Sequence, residues 1–459
     1  MEKLTFEEII EAVKGEVYIK GNNLDFNAVN TDTRKLEQGN MFIALRGENF
    51  NGNEYTALAS EKGASICIVD EIKFKNEELK ENTSIILVKD TKNALLDLAM
   101  YYRSKLLVRI VGITGSTGKT STKDLTAAVL GSKYKVFKTK GNFNNEIGLP
   151  LMMFQIDNSY DIAILEMGMS NLGEIHRLAK VARPDVGIIT NIGISHIENL
   201  KTRENILKAK LEIADYFNEN NTLIVTGDDD FLRTVDSKDY RVMKIGINND
   251  FEYTAEEISL GENNISFKVS EKGCSYKHNI SAEVPGRHNV LNSLLAVACG
   301  RVFDLSYEEI DSGIKNLETT SMRLDIIRGE KFTIVDDCYN ASPDSMKAAL
   351  DVLANLSGKR KIAILGTMKE LGEKAYEAHE EIGEYASVKG IDLLITVGEF
   401  NKAFEKGFNN VNKHMLCLDN EEAFKCIKEN IDHDDVILIK ASRSMKFETI
   451  VSKLKNINC

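Results

Sequence analysis

The chain has 459 residues, of which 28% are charged, with a formal net charge of -12 and seven cysteines. This length exceeds one ordinary hydrophobic core, and at about 150 residues per domain it predicts about three domains. The acidic excess argues against a general nucleic-acid-binding protein, because phosphate neutralisation requires a basic surface. The sequence has no Cys-x-x-Cys pair, signal-type segment or apolar run of about 18 residues, so we expect reduced cysteines and a cytoplasmic protein without a membrane span.

The beginning of the chain mixes short apolar runs with turns rich in Asn and Gly. The runs "MFIAL" (41–45) and "ASICIVD" (64–70) are strand candidates. The segment "KNALLDLAMYYRSKL" (92–106) repeats apolar residues at helical spacing. We therefore predict a small N-terminal α/β domain over residues 1–90 and a helix directly after it.

Apolar runs then alternate with helical stretches. The strand candidates are "LVRIVGIT" (107–114), "DIAILEMG" (161–168), "VGIITNIG" (186–193) and "NTLIVTGDDD" (221–230). This βαβ alternation predicts a largely parallel sheet in a central domain over residues 91–312.

A second alternating series follows in the last third of the chain. Its strand candidates are "FTIVDD" (332–337), "KIAILG" (361–366), "DLLITVG" (392–398) and "DVILIKAS" (435–442). They predict a Rossmann-like C-terminal domain over residues 313–459. The sequence contains no G-x-G-x-x-G, so a dinucleotide cofactor is not indicated. The predicted fold class is α/β with three domains.

The segment "VGITGSTGKTST" (111–122) has the form of a phosphate-binding loop between a strand and a helix, although Ile113 stands where the first glycine of the usual pattern falls. Glycines let backbone N–H groups approach phosphates, Lys119 can neutralise β/γ-phosphate oxygens, and Thr120 can offer its hydroxyl to Mg²⁺. The alternative is a Gly/Thr-rich turn without a ligand. The predicted ATP-binding residues of this loop are Thr114, Gly115, Ser116, Thr117, Gly118, Lys119, Thr120 and Ser121.

The loop "TGSTGKT" (114–120) resembles that of the Mur ligases, ATP-dependent amide ligases, and of their folylpolyglutamate synthase relatives. The resemblance implies that Glu166, after the next core strand, and His196, in "TNIGISHIENL", are Mg²⁺ ligands together with Thr120. Taken alone, one Glu and one His after strands are typical of solvated loop residues.

The segment "ILKAKLEIADYF" (206–217) resembles the stretch that bears a carbamylated lysine in this family, and its Ala-Lys-x-Glu core selects Lys210 rather than Lys208. The resemblance implies that carbamylated Lys210 is a further Mg²⁺ ligand. A carbamate forms only on an uncharged amine, so Lys210 should be desolvated with a lowered pKa. The alternative is a solvated helix face on which the two lysines pair with Glu212.

The segment "NTDTRKLEQGNMFIALRGENFNGNEY" (30–55) resembles the N-terminal domain with which muramyl ligases hold the UDP end of a UDP-N-acetylmuramoyl peptide, a domain that folylpolyglutamate synthases lack. The segment "GNFNNEIGLPL" (141–151) resembles the Asn-rich substrate loop of the family. The alternatives are surface arginines next to acidic residues and an ordinary Asn-rich turn. The implied UDP-substrate residues are Thr31, Thr33, Arg34, Arg46, Glu48, Asn49, Phe50, Asn144 and Asn145.

Three further segments resemble the family's ATP-binding motifs. They are "VPGRHNVLNSLLAVA" (284–298), "MRLDII" (322–327) and "VDDCYNASPDSMKAAL" (335–350). The resemblance implies that Arg323 and Asp337 act in catalysis together with Lys119 and Lys210. The implied additional ATP-binding residues are His288, Asn289, Asn292, Arg323, Asp337, Tyr339 and Asn340.

The form "DDCYNASPDSM" resembles the branch of the family that adds a D-alanyl-D-alanine dipeptide. The implied reaction is ATP-dependent joining of D-alanyl-D-alanine to UDP-N-acetylmuramoyl-tripeptide through an acyl phosphate, by a monomer, in peptidoglycan synthesis. Thr367 and Ala441 depart from the family's Gly-Asp-Met and Lys-Gly-Ser-Arg motifs, which leaves a muramyl ligase of different amine specificity as an alternative. A more distant alternative is a nucleotide-dependent switch or binding protein. No motif distinguishes diaminopimelate from lysine as the third residue of the acceptor peptide.

Overall fold

The structure is a computed structural model, and it describes residues 1–247 and 251–458. It contains three sheets that follow one another along the chain, which confirms the predicted α/β class. Among the described residues, no helix combines the length and the apolar character that crossing a bilayer requires. The six cysteines within the described ranges are free, and Cys459 lies outside those ranges.

The first sheet lies near the N-terminus. Its strands are β1 (Glu16–Ile19), β2 (Ala28–Asn30), β3 (Asn40–Ile43), β4 (Ile66–Val69) and β5 (Ser84–Leu87), and its helices are α1 (Phe6–Val13), α2 (Thr56–Glu61) and α3 (Thr91–Arg103). The strand order is β1-β5-β4-β3-β2, and only β1 is antiparallel to its neighbour. The predicted helix is α3, and its apolar residues Leu95, Leu98, Ala99 and Tyr102 are all buried.

The second sheet is the largest. Its strands are β6 (Arg109–Thr114), β7 (Val136–Lys138), β8 (Ile162–Glu166), β9 (Val186–Ile189), β10 (Thr222–Thr226), β11 (Arg241–Gly246), β12 (Tyr253–Leu260), β13 (Ile265–Glu271) and β14 (Lys277–Ala282). Its helices are α4 (Lys119–Gly131), α5 (Gly148–Met153), α6 (Glu174–Ala182), α7 (Ile197–Leu200), α8 (Arg203–Leu211), α9 (His288–Val302) and α10 (Tyr307–Lys315).

The strand order of this sheet is β14-β13-β12-β11-β10-β9-β6-β8-β7. Pairing is parallel from β7 to β12 and antiparallel from β12 to β14. The strand β6 lies between β8 and β9, with Ile113 opposite Glu166 and Thr114 opposite Ile189. The carboxyl ends of three neighbouring strands therefore meet at one edge, which is where open α/β sheets bind ligands.

The third sheet belongs to the C-terminal part of the chain. Its strands are β15 (Asp325–Arg328), β16 (Thr333–Asp336), β17 (Lys361–Gly366), β18 (Leu393–Val397), β19 (His414–Cys417) and β20 (Val436–Lys440), and its helices are α11 (Pro343–Asn355), α12 (Ala375–Val388), α13 (Asn401–Phe408), α14 (Asn420–Asn430) and α15 (Glu448–Ile457). The order is β15-β16-β20-β17-β18-β19, with only β15 antiparallel to its neighbour. The four predicted strands of this region correspond to β16, β17, β18 and β20.

Candidate active site

The predicted phosphate loop connects β6 to α4 at the carboxyl edge of the second sheet. A Cβ atom on Gly115 would lie 1.8 Å from Oγ1 of Thr190, and one on Gly118 would lie 2.9 Å from Oδ1 of Asn292. Gly118 also has a φ of 77°, a left-handed conformation that favours glycine. Gly115 therefore supplies the close backbone approach for which the usual pattern uses an earlier glycine.

The segment after β9, residues 190–196, supports this loop and is called the β9 loop below. The backbone N–H of Ser116 donates to the carbonyl of Asn191 at 3.1 Å, and that of Thr117 donates to Oδ1 of Asn191 at 2.9 Å. In return, Gly193 N–H donates to Oγ of Ser116 at 2.9 Å. The β9 loop thus fixes the conformation of the phosphate loop, a role for Asn191 that the sequence motifs do not reveal.

Lys119 is the first residue of α4 and lies inside the site. Its Nζ donates to the carbonyl of Gly115 at 2.7 Å. Burial lowers the pKa of Lys119 from 10.5 to about 8, and the negative charge of Glu166 partly opposes this shift. A polyphosphate beside this amine would favour its charged form.

Glu166 ends β8 and is almost completely buried, at 2% relative exposure. Oγ1 of Thr120 donates to its Oε2 at 3.4 Å, and Nζ of the buried Lys123 lies 3.3 Å from its Oε1. Oε1 accepts no hydrogen bond from the described residues. A buried carboxylate beside a threonine hydroxyl fits Mg²⁺, which prefers hard oxygen ligands. The described residues contain no cluster of three His, Cys, Asp or Glu side chains that could hold a metal ion.

Asp124 extends this buried charge cluster toward the C-terminal domain, the part of the chain that carries the third sheet. Its Oδ1 lies 3.0 Å from Nζ of Lys138, and its Oδ2 accepts from the backbone N–H of Thr320 at 2.9 Å. A cavity of about 370 Å³ lies beside it, lined in part by Lys123 and Lys140. The helix that begins at the phosphate loop is thereby tied to the segment that connects the two domains.

His196 precedes α7 with a φ of 62°. Its Nδ1 lies 2.6 Å from Oε2 of Glu370 in the C-terminal domain. The structure thus places this predicted metal ligand at the interface between the second and third sheets.

Lys210 lies in the last turn of α8 and is buried, whereas Lys208 is exposed. Burial, followed by the positive charge of Lys119, lowers the pKa of Lys210 well below its usual value. Glu212 accepts instead from the backbone N–H groups of Gly173 and His176, at 2.7 and 3.0 Å. The alternative of a solvated helix face on which both lysines pair with Glu212 is therefore wrong. The expected desolvation of Lys210 is observed.

Two C-terminal candidates face the same site. Nη2 of Arg323 donates to Oγ1 of Thr120 at 3.1 Å, and the guanidinium stacks over Tyr339 at 4.1 Å from the ring centroid. Asp337 forms an ion pair with the buried Lys440, which also donates to the carbonyl of Asn340 at 2.9 Å. Lys440 lies in the segment "IKAS" (439–442), but the sequence motif gave no reason to predict it as a site residue.

The start of α9 contacts the helix of the phosphate loop. Oγ1 of Thr122 donates to Oδ1 of Asn292 at 3.2 Å, and Nδ2 of Asn292 donates to Oδ1 of Asn289 at 2.8 Å. Desolvation lowers the pKa of His288 to about 4, so its imidazole is neutral at pH 7. The three α9 candidates thus lie together, next to the phosphate loop.

The predicted UDP-substrate residues of the first sheet follow the carboxyl ends of β2 and β3. Arg34 is exposed and pairs with Asp32 at 2.8 Å, as the surface alternative predicts. Arg46 pairs with Asp70 at 2.8 Å, a partner that the sequence does not suggest. Thr31 and Thr33 are half-buried, whereas Glu48, Asn49 and Phe50 are exposed.

The Asn-rich segment lies before α5. The side-chain oxygen of Asn145 accepts from the backbone N–H of Gly148 at 2.8 Å, which is the capping role typical of an ordinary turn. The backbone carbonyl of Asn144 accepts from Gly168 N–H at 2.8 Å, next to Glu166. Asn144 is thus the member of this pair that lies close to Glu166.

Thr367 and Ala441 follow β17 and β20, which are neighbouring strands. Ser442 N–H donates to the Thr367 carbonyl at 3.2 Å, and a Cβ on Gly366 would lie 2.7 Å from the Ala441 methyl group. The two departures from the family motifs therefore meet at the carboxyl edge of the third sheet.

Comparison with known proteins agrees with this arrangement. The family models described as Mur ligase family catalytic domain, Mur ligase middle domain and Mur ligase glutamate ligase domain match residues 25–103, 113–300 and 322–443. The UDP-N-acetylmuramoyl-tripeptide--D-alanyl-D-alanine ligases of Bacillus subtilis and Escherichia coli are 39% and 33% identical to the chain, each over 99% of both proteins.

Solved structures agree as well. MurF from Acinetobacter baumannii superposes with a TM-score of 0.89 at 28% identity, over 99% of each chain. MurF from Thermotoga maritima in complex with ADP gives a TM-score of 0.81 at 28% identity, over 94% of this chain and 97% of that one. The chain therefore belongs to the Mur ligase family.

Proposed function

We propose that this protein joins D-alanyl-D-alanine to UDP-N-acetylmuramoyl-tripeptide at the expense of ATP, giving the UDP-linked pentapeptide, ADP and phosphate in peptidoglycan synthesis. The observation that carries the proposal is the full-length similarity to ligases of that name, at 39% identity over 99% of the chain. The convergence of Lys119, Glu166 and Arg323 around Thr120 supports it, because phosphoryl transfer depends on positioned charge.

In the first half of the proposed reaction, the terminal carboxylate of the peptide attacks the γ-phosphorus of ATP, a P–O bond to ADP breaks, and an acyl phosphate forms. Lys119 and the N–H groups of the phosphate loop hold the phosphates, and Arg323 approaches from the C-terminal domain. Thr120, Glu166, His196 and carbamylated Lys210 are the proposed Mg²⁺ ligands. When bound, Mg²⁺ supplies charge neutralisation for the phosphate oxygens.

In the second half, the amine of the dipeptide attacks the acyl carbon, a C–N bond forms, phosphate leaves and the amine loses a proton. The protein has little covalent chemistry to perform here. Its contribution is to hold the amine against the acyl phosphate and to exclude water, which would otherwise hydrolyse the intermediate.

The amine specificity has one alternative that a particular observation favours. Thr367 is buried at the carboxyl edge of the third sheet, where the related motif has aspartate, and Ala441 lies next to it on the adjacent strand. Loss of a carboxylate from this edge changes how an ammonium group can be held, so a ligase for another amino acid or dipeptide is the second candidate. Since both ATP and a UDP-linked sugar are cytoplasmic metabolites, we also propose cytoplasmic action, as a monomer.

The test is phosphate release from ATP with purified protein, UDP-N-acetylmuramoyl-tripeptide and D-alanyl-D-alanine, omitting each component in turn and identifying the product by mass. The expected result is release that needs all components and yields the pentapeptide. Acceptors ending in diaminopimelate and in lysine are assayed separately. Release that requires the acceptor but another amine would replace the proposed specificity, and turnover indifferent to the acceptor would contradict a ligase.

A further inference from the structure

A segment of the C-terminal domain, residues 367–372, reaches across to the second sheet and is called the β17 loop below. Its Glu370 places Oε2 2.6 Å from Nδ1 of His196, and the backbone carbonyl of Glu370 accepts from the N–H of Glu198 at 3.2 Å. Glu370 thus contacts two residues at the start of α7, His196 through its side chain and Glu198 through its backbone.

Both partners of this contact have unfavourable backbone conformations. His196 has a φ of 62° and Glu370 a φ of 66°, in the left-handed region that residues with a Cβ rarely adopt. Gly372 packs against the same helix start, because a Cβ there would lie 3.3 Å from Cα of Glu198. Strained non-glycine residues persist where the surrounding structure imposes them, and they concentrate at functional sites.

The base of the β17 loop is firmly held within its own domain. Met368 N–H donates to Nε2 of His379 at 2.8 Å, and Nδ1 of this buried histidine contacts the carbonyl of Ala375 at 2.6 Å. Lys369 N–H donates to Oγ of Ser442 at 2.9 Å. The loop therefore projects Glu370 from the edge at which Thr367 and Ala441 meet.

The opposite side of the contact is held just as firmly. His196 ends the β9 loop, in which Asn191 and Gly193 bind the backbone and side chain of the phosphate loop. Burial lowers the pKa of Lys119, and the negative charge of Glu370 opposes that shift as the smallest of the contributing effects. An ordered path thus runs from the phosphate loop, through His196 and Glu370, to the carboxyl edge of the third sheet.

We propose that Glu370 is a positioning residue for the second half of the ligation: by binding His196 it sets the amine-binding edge of the C-terminal domain in register with the acyl phosphate. This inference rests on the proposed ligase function. The first half depends less on this register, because ATP and the acceptor carboxylate react at the phosphate loop, where the C-terminal domain contributes through Arg323, whose contact with Thr120 does not involve Glu370. Amine attack does depend on it, since a displacement of about 1 Å between reactants can reduce a rate by about a hundredfold.

The test compares Glu370→Ala with Glu373→Ala, a matched control at an exposed position just after the loop. Acyl phosphate formation is measured without dipeptide, from ATP and UDP-N-acetylmuramoyl-tripeptide, by borohydride trapping. At saturating Mg²⁺, so that any weaker metal binding through His196 does not limit the rate, we expect this step to stay within about twofold of wild type, while kcat/KM for D-alanyl-D-alanine falls about tenfold to a hundredfold. Glu370→Gln retains a hydrogen-bond acceptor and should recover part of the loss, and Glu373→Ala should match wild type in both assays.

Equal losses in both half-reactions, or an unchanged kcat/KM for the dipeptide, would overturn the inference. If the wild-type protein makes the acyl phosphate but does not use this dipeptide, the proposed specificity fails and the inference is decided by small-angle X-ray scattering. With ATP and the acceptor present, Glu370→Ala should then have a larger radius of gyration than wild type. An equal radius would overturn the positioning role independently of the amine.

Discussion

At the residue scale, the site is distinguished by buried lysines, a residue type that rarely leaves the surface. The buried Lys123 pairs with Glu166 and the buried Lys440 with Asp337, and the partly buried Lys119 donates to a carbonyl oxygen. Lys210 differs from these three lysines. Its amine is buried and lies in the field of the like-charged Lys119, and both effects lower its pKa. A buried amine of this kind is held in its neutral form, which is the form that reacts with CO₂.

The first prediction is that Lys210 carries a carbamate near neutral pH. With ¹³C-labelled bicarbonate, the wild-type protein should give a carbamate carbon resonance that is absent from Lys210→Arg, because a guanidinium stays protonated. This variant should also lose ligase activity, whereas the exposed control Lys208→Arg should keep both the resonance and the activity. A resonance that survives in Lys210→Arg would assign the carbamate elsewhere.

The second prediction concerns the pH dependence of nucleotide binding. The pKa of Lys119 is about 8 in the free protein, below its usual 10.5, so the amine loses its charge as the pH rises through 8. Bound triphosphate favours the ammonium form, so the pKa rises on binding and a proton is taken up. ATP affinity should therefore fall as the pH rises above about 8, by at most about tenfold per pH unit.

Calorimetry in buffers of different ionisation enthalpy measures this proton uptake directly. Lys119→Met should bind ATP weakly and without the corresponding proton uptake. Proton release on binding by the wild type would contradict the assigned direction of the shift.

At the element scale, the phosphate loop and α4 form one unit whose two terminal glycines have opposite environments. A Cβ on Gly115 would collide with the Thr190 hydroxyl at 1.8 Å, whereas one on Gly131, at the end of α4, would meet nothing within 4 Å. The same chemical change therefore has opposite consequences at the two ends of this unit.

The third prediction follows from this contrast. Gly115→Ala should lower the free energy of unfolding by about 1–3 kcal/mol and abolish ATP binding, because the loop must move away from the β9 loop. Gly131→Ala should raise the free energy of unfolding by about 0.5–1 kcal/mol through helix propensity. Urea unfolding and nucleotide titration measure both effects, and retained ATP binding in Gly115→Ala would show that this close approach is dispensable.

At the scale of the whole molecule, the C-terminal domain touches the central domain through both apolar and polar contacts, since one buried apolar cluster contains Ile197 and Leu200 together with Met368 and Leu371. Arg323 reaches Thr120, Arg328 reaches Glu262 at 2.9 Å, and Ser357 N–H donates to the same glutamate at 2.7 Å. Exposed pairs such as Arg328–Glu262 contribute little stability. Exposed polar contacts of this kind therefore oppose domain separation only weakly.

The fourth prediction is that substrates shift the molecule toward this contacted arrangement. Adding ATP and UDP-N-acetylmuramoyl-tripeptide should decrease the radius of gyration measured by small-angle X-ray scattering, because the proposed binding residues of both ligands lie on different domains. Arg323→Ala should reduce that decrease, and Arg328→Ala, at the exposed pair, should leave it nearly unchanged. An identical radius with and without ligands would refute ligand-driven closure.

The sequence predicts the parts of the fold whose strands are continuous apolar runs. The core strands β6, β8 and β9 are such runs, and they are buried on both faces. The hairpin strands β12 to β14 were not predicted, although β13 ("ISFKVSE") alternates apolar and polar residues and buries alternate positions, the pattern typical of a half-buried strand.

Site residues within a motif were likewise predictable, and those defined by a distant partner were not. Lys210 stands in a recognisable segment, and its burial follows. Lys123 and Glu370 acquire their importance from Glu166 and His196, which are far from them in the sequence. Arg34 is an example of a motif residue whose role was not predictable. Its charge suggests an anion-binding site, but in the structure its guanidinium pairs with the neighbouring Asp32.

The helix α4 connects the phosphate loop to the segment between the central and C-terminal domains. Lys119, at its first position, lies in the phosphate loop, and Asp124, five residues later, holds the backbone of Thr320 in the interdomain connection. These positions are about 7.5 Å apart along the helix axis, a distance over which an α-helix is effectively a rigid rod. If a nucleotide displaces the loop, the helix can therefore carry that displacement to the connection. Asp124 would then act as part of a hinge although it lies in the interior of a helix, and substitutions there should change kcat and KM together.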